Sequence, residues 1–184
     1  MSGGAAGGDH APNLHALPSP RRPAAAYRVA IVCLGNICRS PMADVVLRSK
    51  LARERLDGAV VVTSSGTGDW HVGQGMDRRA ASTLAASGYD PSTHRAEHFD
   101  ATWFDRHDLI LTMDSMNYGD VCALLLDGAE RDRVRMFRAF DPLAGADLDV
   151  PDPWYGGDQG FEDVLDMVER TTDELLRQLT GLMT

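Results

Sequence analysis

Short apolar runs alternate along the chain with longer stretches whose apolar residues recur every three or four positions. The apolar runs are rich in β-branched residues and have the length of strands buried on both faces of a sheet; they cover residues 27–34, 59–66, 108–114 and 133–137. The longer stretches carry the spacing of amphipathic helices and cover residues 42–56, 76–88, 115–126 and 161–179.

Strands that alternate with helices are typical of a parallel sheet with helices on both faces. The pattern therefore predicts a three-layer α/β domain with a four-stranded parallel sheet. Ligands bind such sheets beyond the carboxyl ends of the strands. We accordingly expect a site in the loop after the first strand, where Cys33 lies.

The first 25 residues differ in composition from the rest of the chain. They are rich in Gly, Ala and Pro and contain no aromatic residue, so they cannot bury enough surface to offset the entropy of ordering. We predict a disordered tail over residues 1–25 and one domain over residues 26–184, because 184 residues suit a single core.

Charge and cysteine usage narrow the function classes. The net charge of −9 gives no basic footprint for nucleic acid or for a membrane surface, and no apolar run reaches the roughly 18 residues of a membrane span. The amino terminus lacks the apolar core of a signal peptide. Three cysteines are too few for a secreted disulfide framework; they are Cys33, Cys38 and Cys122. We expect a cytoplasmic protein.

The stretch VCLGNICRSPMAD, residues 32–44, places Cys33 at the end of the first predicted strand and Arg39 just before a predicted helix. A thiol is a weak nucleophile until it ionises. Full ionisation near neutral pH requires stabilisation by roughly 3–5 kcal/mol, whereas a helix end supplies about 0.3–1 kcal/mol. Further hydrogen-bond donors are therefore required around the sulfur.

The same stretch supplies such donors. The backbone N–H groups of the loop can turn inward as an anion-binding nest, and Gly35 permits the conformations that this demands. Asn36 tolerates a positive φ and can fix the loop through its amide. The guanidinium of Arg39 can hold two phosphate oxygens, and the Ser40 hydroxyl can donate to a thiolate.

A cradle of five residues between cysteine and arginine has the size of one phosphoryl group. It lacks the lysine and the second glycine of the nucleotide-binding G-x-x-x-x-G-K-[ST] loop. A buried structural cysteine beside a surface arginine is the alternative. The run CLGNICRSPMA resembles the active-site loop of the low-molecular-weight protein tyrosine phosphatases, and the resemblance extends from about Tyr27 to Leu179.

This resemblance implies that Cys33 attacks the phosphorus and forms a cysteinyl-phosphate. Arg39 would bind the transferring group together with the other loop positions, which are Leu34, Gly35, Asn36, Ile37, Cys38 and Ser40. The family carries its general acid in an Asp-Pro-aromatic loop, which VPDPWYGG matches at Asp152. Asp147 and Asp149 are nearby but lack the following proline and aromatic residues.

The resemblance also implies aromatic walls that accept a phenyl ring. Trp154 and Tyr155 correspond to aromatic residues beside the pocket, although the first is commonly Tyr in the family, and Trp70 corresponds to one on the opposite wall. Such walls favour phosphotyrosine over the shorter phosphoserine. Gly156 and Gly157 would let the acid loop move.

A supporting hydrogen-bonded network and a redox cysteine are implied as well. The network would comprise Asn36, Ser40, Ser64 and His94. Cys38 would trap the oxidised nucleophile as a reversible disulfide, and Cys122 is expected in the core. An arginine often stands in the family where this chain has Glu97, so no charge pair from that position to Asp114 is carried over.

We interpret the chain as a protein tyrosine phosphatase that uses no metal and no cofactor. Three alternatives compete with this interpretation. An arsenate reductase relay needs a further reactive cysteine pair, but only Cys122 follows Cys38. Arginine phosphatases tend to have a threonine where Ile37 stands, and a non-catalytic phosphate-binding module would be expected to lose the reactive residues. The expected partners are phosphotyrosine-containing proteins and an opposing tyrosine kinase, and we expect a monomer.

Overall fold

The predicted sheet is present with all four strands parallel. The computed structural model describes residues 16–126, 128 and 130–183. Its strands are β1 (Tyr27–Cys33), β2 (Val60–Gly66), β3 (Leu109–Thr112) and β4 (Val134–Met136), arranged in the order β2-β1-β3-β4. β1 is central, and its last residue, Cys33, lies beside Gly66 at the end of β2.

In the described residues, five α-helices connect and flank these strands. They are α1 (Arg39–Arg53), α2 (Arg78–Ala86), α3 (Thr102–Arg106), α4 (Ser115–Ala123) and α5 (Asp158–Met183). The short helix α3 was not predicted, because five residues are too few to reveal a helical period. Helix α2 ends just before Gly88, which has a φ of +83° and stops the helix as predicted.

Alternating residues of β1 point into two separate cores. Val29 and Ile31 belong to the larger core, which contains residues of α1, α2 and α5. Ala30 and Val32 belong to a smaller core with residues of α3 and α4. The sheet therefore has helices on both faces, which confirms the predicted three-layer class.

The chain contacts the domain before β1 begins. The Tyr27 hydroxyl donates to the carbonyl of Pro18 at 3.0 Å. The backbone N–H of Arg21 donates to Asp108 Oδ1 at 2.6 Å, and the Arg21 side chain pairs with Glu130. Pro18 and Arg21, which belong to the predicted tail, thus contact the domain, while residues 1–15 lie outside the described residues.

The described part of the chain contains neither a membrane-spanning helix nor a cluster of metal-binding side chains. Within residues 16–126, 128 and 130–183, no helix combines the length and apolar character of a membrane span. The same residues contain no group of three or more His, Cys, Asp or Glu side chains arranged to hold a metal ion.

Candidate active site

The loop after β1 is fixed to the end of β2 by close backbone contact. The N–H of Thr67 donates to the carbonyl of Cys33, and that of Gly68 donates to the carbonyl of Leu34, both at 2.9 Å. A Cβ on Gly66 would lie 2.6 Å from the Leu34 oxygen, closer than van der Waals contact allows. Gly66 is therefore required for the two segments to approach, a constraint that the sequence did not reveal.

Asn36 fixes the shape of the loop. It has a φ of +53° and is fully buried. Its side-chain amide donates to Ser40 Oγ at 2.8 Å, and its amide oxygen accepts from the N–H of Glu97 at 2.9 Å. The buried hydrogen bonds stabilise a backbone conformation that a non-glycine residue rarely adopts.

His94 supports the loop from behind. Its Nε2 lies 2.8 Å from the carbonyl oxygen of Asn36, and because a carbonyl can only accept, this nitrogen carries the hydrogen. Burial lowers the pKa of His94 below its ordinary value, so the ring is neutral at physiological pH. The structure therefore brings three predicted network residues together: Asn36, Ser40 and His94.

Ser64 does not join this network. Its hydroxyl donates to Asp44 Oδ2 at 3.4 Å, and burial raises the pKa of Asp44 to about 7. The backbone carbonyl of the next residue, Ser65, lies 3.3 Å from Ser40 Oγ instead. The resemblance thus predicted correctly that the end of β2 lies behind the loop after β1. The group that contacts Ser40 is the backbone carbonyl of Ser65 and not the Ser64 hydroxyl.

Two donors converge on the sulfur of Cys33. The N–H of Asn36 lies 3.3 Å from Sγ, and the Ser40 hydroxyl lies 3.0 Å from it. The residue is buried, so bulk water contributes little to the solvation of the sulfur. The loop and α1 therefore supply the sulfur with two fixed hydrogen-bond donors.

Arg39 is buried at the base of the site among acceptors. Its Nη1 donates to Asp114 Oδ2 and to the carbonyl of Val150 at 3.1 Å, and its Nη2 donates to Asp152 Oδ2 at 3.2 Å. Burial by itself would lower the pKa of Arg39, but the neighbouring Cys33, Asp114 and Asp152 leave that pKa raised. The guanidinium therefore keeps its charge and a fixed orientation.

Asp152 lies where the loop after β1 meets the loop before α5. Its Oδ1 accepts from the N–H of Trp154 at 3.0 Å and caps a 3-10 turn over Pro153–Tyr155. Asp149 instead accepts from the N–H of Ser115 at 2.8 Å, and Asp147 lies near Arg138. Only Asp152 of the three candidate carboxylates faces the site.

These residues enclose a cavity of about 190 Å³. The buried Cys33 and Arg39 lie at its floor, and exposed aromatic side chains lie at its mouth. It is lined by Cys33, Leu34, Gly35, Ile37, Cys38, Arg39, Trp70, His71, Asp152, Trp154 and Tyr155. Every predicted wall residue thus lines one pocket, at the carboxyl end of β1.

Cys38 lies in the same cavity as a buried free cysteine. Burial raises the pKa of its thiol, and the nearby Asp77, Cys33 and Asp152 raise it further. Cys38 is therefore a neutral thiol. Cys122 packs against the smaller core and is only partly buried, so its predicted core position is found at the edge of that core.

His71 is a lining residue that sequence reasoning missed. Its ring centroid lies 6.0 Å from that of Trp70 and 6.4 Å from that of Trp154, between the two predicted walls. Its Nδ1 is 2.9 Å from Gln74 Oε1 and donates to it, because an amide oxygen only accepts. Its position next to Trp70 in the chain was the available signal.

Arg79 is a second missed residue and contacts the acid loop. Its guanidinium carbon lies 5.4 Å from the ring centroid of Trp154 and 4.7 Å from that of Phe161. Its Nη1 is 3.4 Å from the carbonyl oxygen of Trp154, and Asp77 pairs with it at 3.3 Å. Arg79 therefore connects the start of α2 to the loop that carries Asp152.

The fold and the loop define an α/β protein whose candidate site follows its first strand, and comparison with known proteins identifies its family. The family model described as low molecular weight phosphotyrosine protein phosphatase matches residues 28–182. The chain belongs to this family, as the sequence resemblance predicted.

Individual relatives agree with this assignment. The low molecular weight protein-tyrosine-phosphatase of Streptomyces coelicolor is 48% identical over 154 residues, covering 82% of this chain and 92% of the relative. The low molecular weight protein-tyrosine phosphatase A of Mycobacterium tuberculosis is 46% identical over 147 residues, covering 77% and 84%. The crystal structure of a protein tyrosine phosphatase from Entamoeba histolytica has a TM-score of 0.80 at 28% identity, covering 86% of this chain and all of that one.

Proposed function

We propose that the protein hydrolyses phosphotyrosine in proteins through a cysteinyl-phosphate intermediate. The observation that carries this proposal is the placement of Cys33 Sγ, which accepts hydrogen bonds from Asn36 N and Ser40 Oγ on the floor of the cavity that Arg39 and Asp152 also line. A stabilised sulfur anion, a fixed guanidinium and a carboxylate are the groups that this two-step reaction needs.

In the first step the Cys33 thiolate attacks phosphorus. An S–P bond forms while the bond between phosphorus and the tyrosine oxygen breaks, and Asp152 gives its proton to the departing phenolate. The loop N–H groups and Arg39 bind the three equatorial oxygens of the phosphoryl group. These donors complement the charge on the oxygens better in the transition state than in the substrate.

In the second step water attacks the phosphorus of the intermediate. Asp152, now a carboxylate, takes a proton from that water, the S–P bond breaks, and Cys33 leaves as the thiolate. Inorganic phosphate is released and the enzyme returns to its starting state. One carboxylate thus serves as acid and then as base.

The aromatic rim supports an aryl ester as the substrate. Trp70 is 58% exposed and Tyr155 91% exposed, and both line the cavity mouth with Trp154. Faces of this kind contact a phenyl ring favourably. The buried sulfur then favours a side chain long enough to reach it, which phosphoserine is not.

Turnover of phosphotyrosyl, phosphoseryl and phosphoarginyl peptides by wild type and Cys33→Ser tests this proposal. We expect hydrolysis of the phosphotyrosyl peptide by wild type, with and without a chelator, and loss of at least about 10³-fold in the variant, with circular dichroism unchanged. Cys122→Ser, outside the cavity, is the matched control. Normal turnover by Cys33→Ser would refute the mechanism, and preference for phosphoarginine would favour the arginine phosphatase alternative.

We further propose that Cys38 protects the nucleophile from irreversible oxidation. A peroxide oxidises the Cys33 thiolate to the sulfenic acid, and the Cys38 thiol then displaces water to form a disulfide. Reduction by an added dithiol restores both cysteines. Cys38→Ser should recover less activity than wild type after peroxide and dithiol treatment; equal recovery would contradict this role.

The proposed reaction also defines its partners. Its substrates are phosphotyrosine-containing proteins, so a tyrosine kinase must supply them. We propose that the protein acts as a monomer in the cytoplasm. Light scattering across a concentration series tests the first point, and fractionation of cells that produce the protein tests the second.

A further inference from the structure

A second groove adjoins the active-site cavity and has no role in the proposed chemistry. It has a volume of about 500 Å³ and shares two lining residues, Leu34 and Trp70, with the cavity that holds Cys33. The two depressions therefore meet at the wall that these two side chains form. The groove extends across the loop after β2 to the start of α3 and to the end of α4.

The walls of the groove are apolar and accessible. Leu34 is 41% exposed, and Leu124 at the end of α4 is 40% exposed. Together with Trp70 they offer an apolar surface that the protein leaves in contact with water. Exposed apolar surface grouped around a depression is typical of an interaction site.

The polar lining of the groove is acidic. Asp100 and Asp120 are both exposed and both line it. Hydrogen bonds from the side chain and backbone of Thr102 lower the pKa of Asp100, so this carboxylate is ionised at neutral pH. In the described part of the chain, the Asp120 side chain has no hydrogen-bond or ion-pair partner.

Two basic groups, Arg106 and His98, act on Asp100 and help to lower its pKa, whereas within the described residues no basic side chain pairs with Asp120. Arg106 donates to Thr102 Oγ1 at 3.0 Å and lies over the Trp103 ring, so it is not part of the groove lining. His98 lines the groove and is the one titratable group there besides the two carboxylates. The groove therefore complements an apolar side chain accompanied by a positive charge.

We propose that this groove binds the substrate segment beside the phosphotyrosine and selects an apolar residue next to a lysine or arginine. The inference rests on the proposed function. A phosphotyrosine with its phosphate at Cys33 holds its own backbone at the cavity mouth, near Trp70. Because an extended chain advances about 3.3 Å per residue, residues two or three positions away reach across the wall of Leu34 and Trp70.

Paired phosphotyrosyl peptides test the proposal. The two members of a pair differ in one residue, which is lysine in one peptide and glutamate in the other. In the first pair, leucine stands three positions before the phosphotyrosine and the charged residue two positions before it. In the second pair, leucine stands two positions after the phosphotyrosine and the charged residue three positions after it. For wild type we expect kcat/KM to favour the lysine peptide about fivefold on one side, and the preference to shrink at high salt, since exposed charges are screened. A small aryl phosphate, which does not reach the groove, is the reference substrate.

Asp120→Asn should reduce this preference to below about twofold. Asp166→Asn is the matched control, because Asp166 is an exposed aspartate of α5 on the opposite face of the sheet. The ratio between the two peptides is the readout, so any general change in enzyme quality cancels.

The outcomes separate this inference from the proposed function. Equal kcat/KM for lysine and glutamate peptides on both sides, or a preference that survives Asp120→Asn, overturns the groove inference while hydrolysis of the aryl phosphate upholds the phosphatase. Failure to hydrolyse both the aryl phosphate and all peptides overturns both. Loss of the preference in Asp166→Asn as well would show a long-range charge effect and would also overturn the groove.

Discussion

The two loops of the candidate site are built in opposite ways. The proposed phosphate loop, residues 34–38 after β1, is buried from Asn36 to Cys38, and Asn36 at its centre is bonded by groups from α1 and from the segment around His94. The proposed acid loop, residues 152–157, has exposed aromatic side chains instead. Two guanidiniums from the rest of the domain donate hydrogen bonds to it. Those belong to Arg39 and Arg79.

The difference follows from what each loop is proposed to do. A group that stabilises charge in the transition state acts best when it is fixed beforehand, because reorganisation then costs nothing during the reaction. A loop that covers the substrate has to let it in and let the product out. The two loops are therefore expected to respond differently to substitution.

Among substitutions that compare the two loops, the largest effect is expected from removing the proposed acid. Asp152→Asn should lower turnover of phenyl phosphate by about 10²–10³-fold. Release of dinitrophenol from dinitrophenyl phosphate in the first turnover should change far less, since that leaving group needs no proton. Stopped-flow measurement of the burst separates the two, and an equal loss with both substrates would contradict the role of Asp152 as acid.

A smaller effect is expected from loosening the phosphate loop. Asn36→Ala removes the donor to Ser40 and the acceptor for the Glu97 N–H, and burying unpaired groups costs about 1–3 kcal/mol each. We expect a loss of about 2–4 kcal/mol in the free energy of unfolding and about 10–100-fold in kcat/KM, measured by urea titration and peptide turnover.

Arg55→Ala is the matched control for that prediction. Arg55 also has a positive φ, +58°, but it is exposed and outside the site. If both variants lost similar stability and activity, the backbone conformation rather than the buried hydrogen bonds of Asn36 would be responsible.

A third, milder effect is expected at the proposed acid loop. Arg79→Met keeps much of the side-chain volume but removes the cation over the Trp154 ring, a contact worth about 0.5–1 kcal/mol at an accessible site. Turnover of phenyl phosphate should fall about fivefold, while dinitrophenyl phosphate should change less than twofold. Arg78→Met, one residue away and exposed, is the control; a uniform loss with both substrates would indicate a general packing role.

The smallest effect on turnover is expected from His107, which lies in the smaller core away from both loops. Its ring stacks on Trp103 at 4.8 Å, and burial lowers its pKa from 6.5 to about 4. The unfolded state therefore binds the proton first as pH falls. The contribution of His107 is complete above pH 6.5 and declines by about 3 kcal/mol as pH falls towards 4.

The variant His107→Gln isolates that contribution. Asp44 has the opposite dependence, because burial raises its pKa to about 7, and its contribution is lost as pH rises through that value. The difference in unfolding free energy between wild type and His107→Gln should therefore shrink from pH 7 to pH 4, with turnover at pH 7 unchanged. A constant difference would contradict the assignment.

The sequence was informative where function depends on neighbours in the chain. The spacing between Cys33 and Arg39, and the Asp-Pro-aromatic run at Asp152, identified residues that the fold brings into one cavity. Arg79 was not predictable in this way, since it meets Trp154 across 75 residues. Gly66 was missed for a related reason. A side chain at this position would collide with the Leu34 carbonyl, and that contact exists only when β1 and β2 lie side by side.

The contacts before β1 have a practical consequence for attaching the protein to a surface. Arg21 is held at Asp108, beside the beginning of β3, whereas Cys33 lies at the far end of the sheet. The seven residues of β1 span about 20 Å, so Arg21 lies on the side of the sheet opposite Cys33. Immobilisation through a cysteine introduced beside Arg21 should leave the cavity open to large phosphorylated proteins.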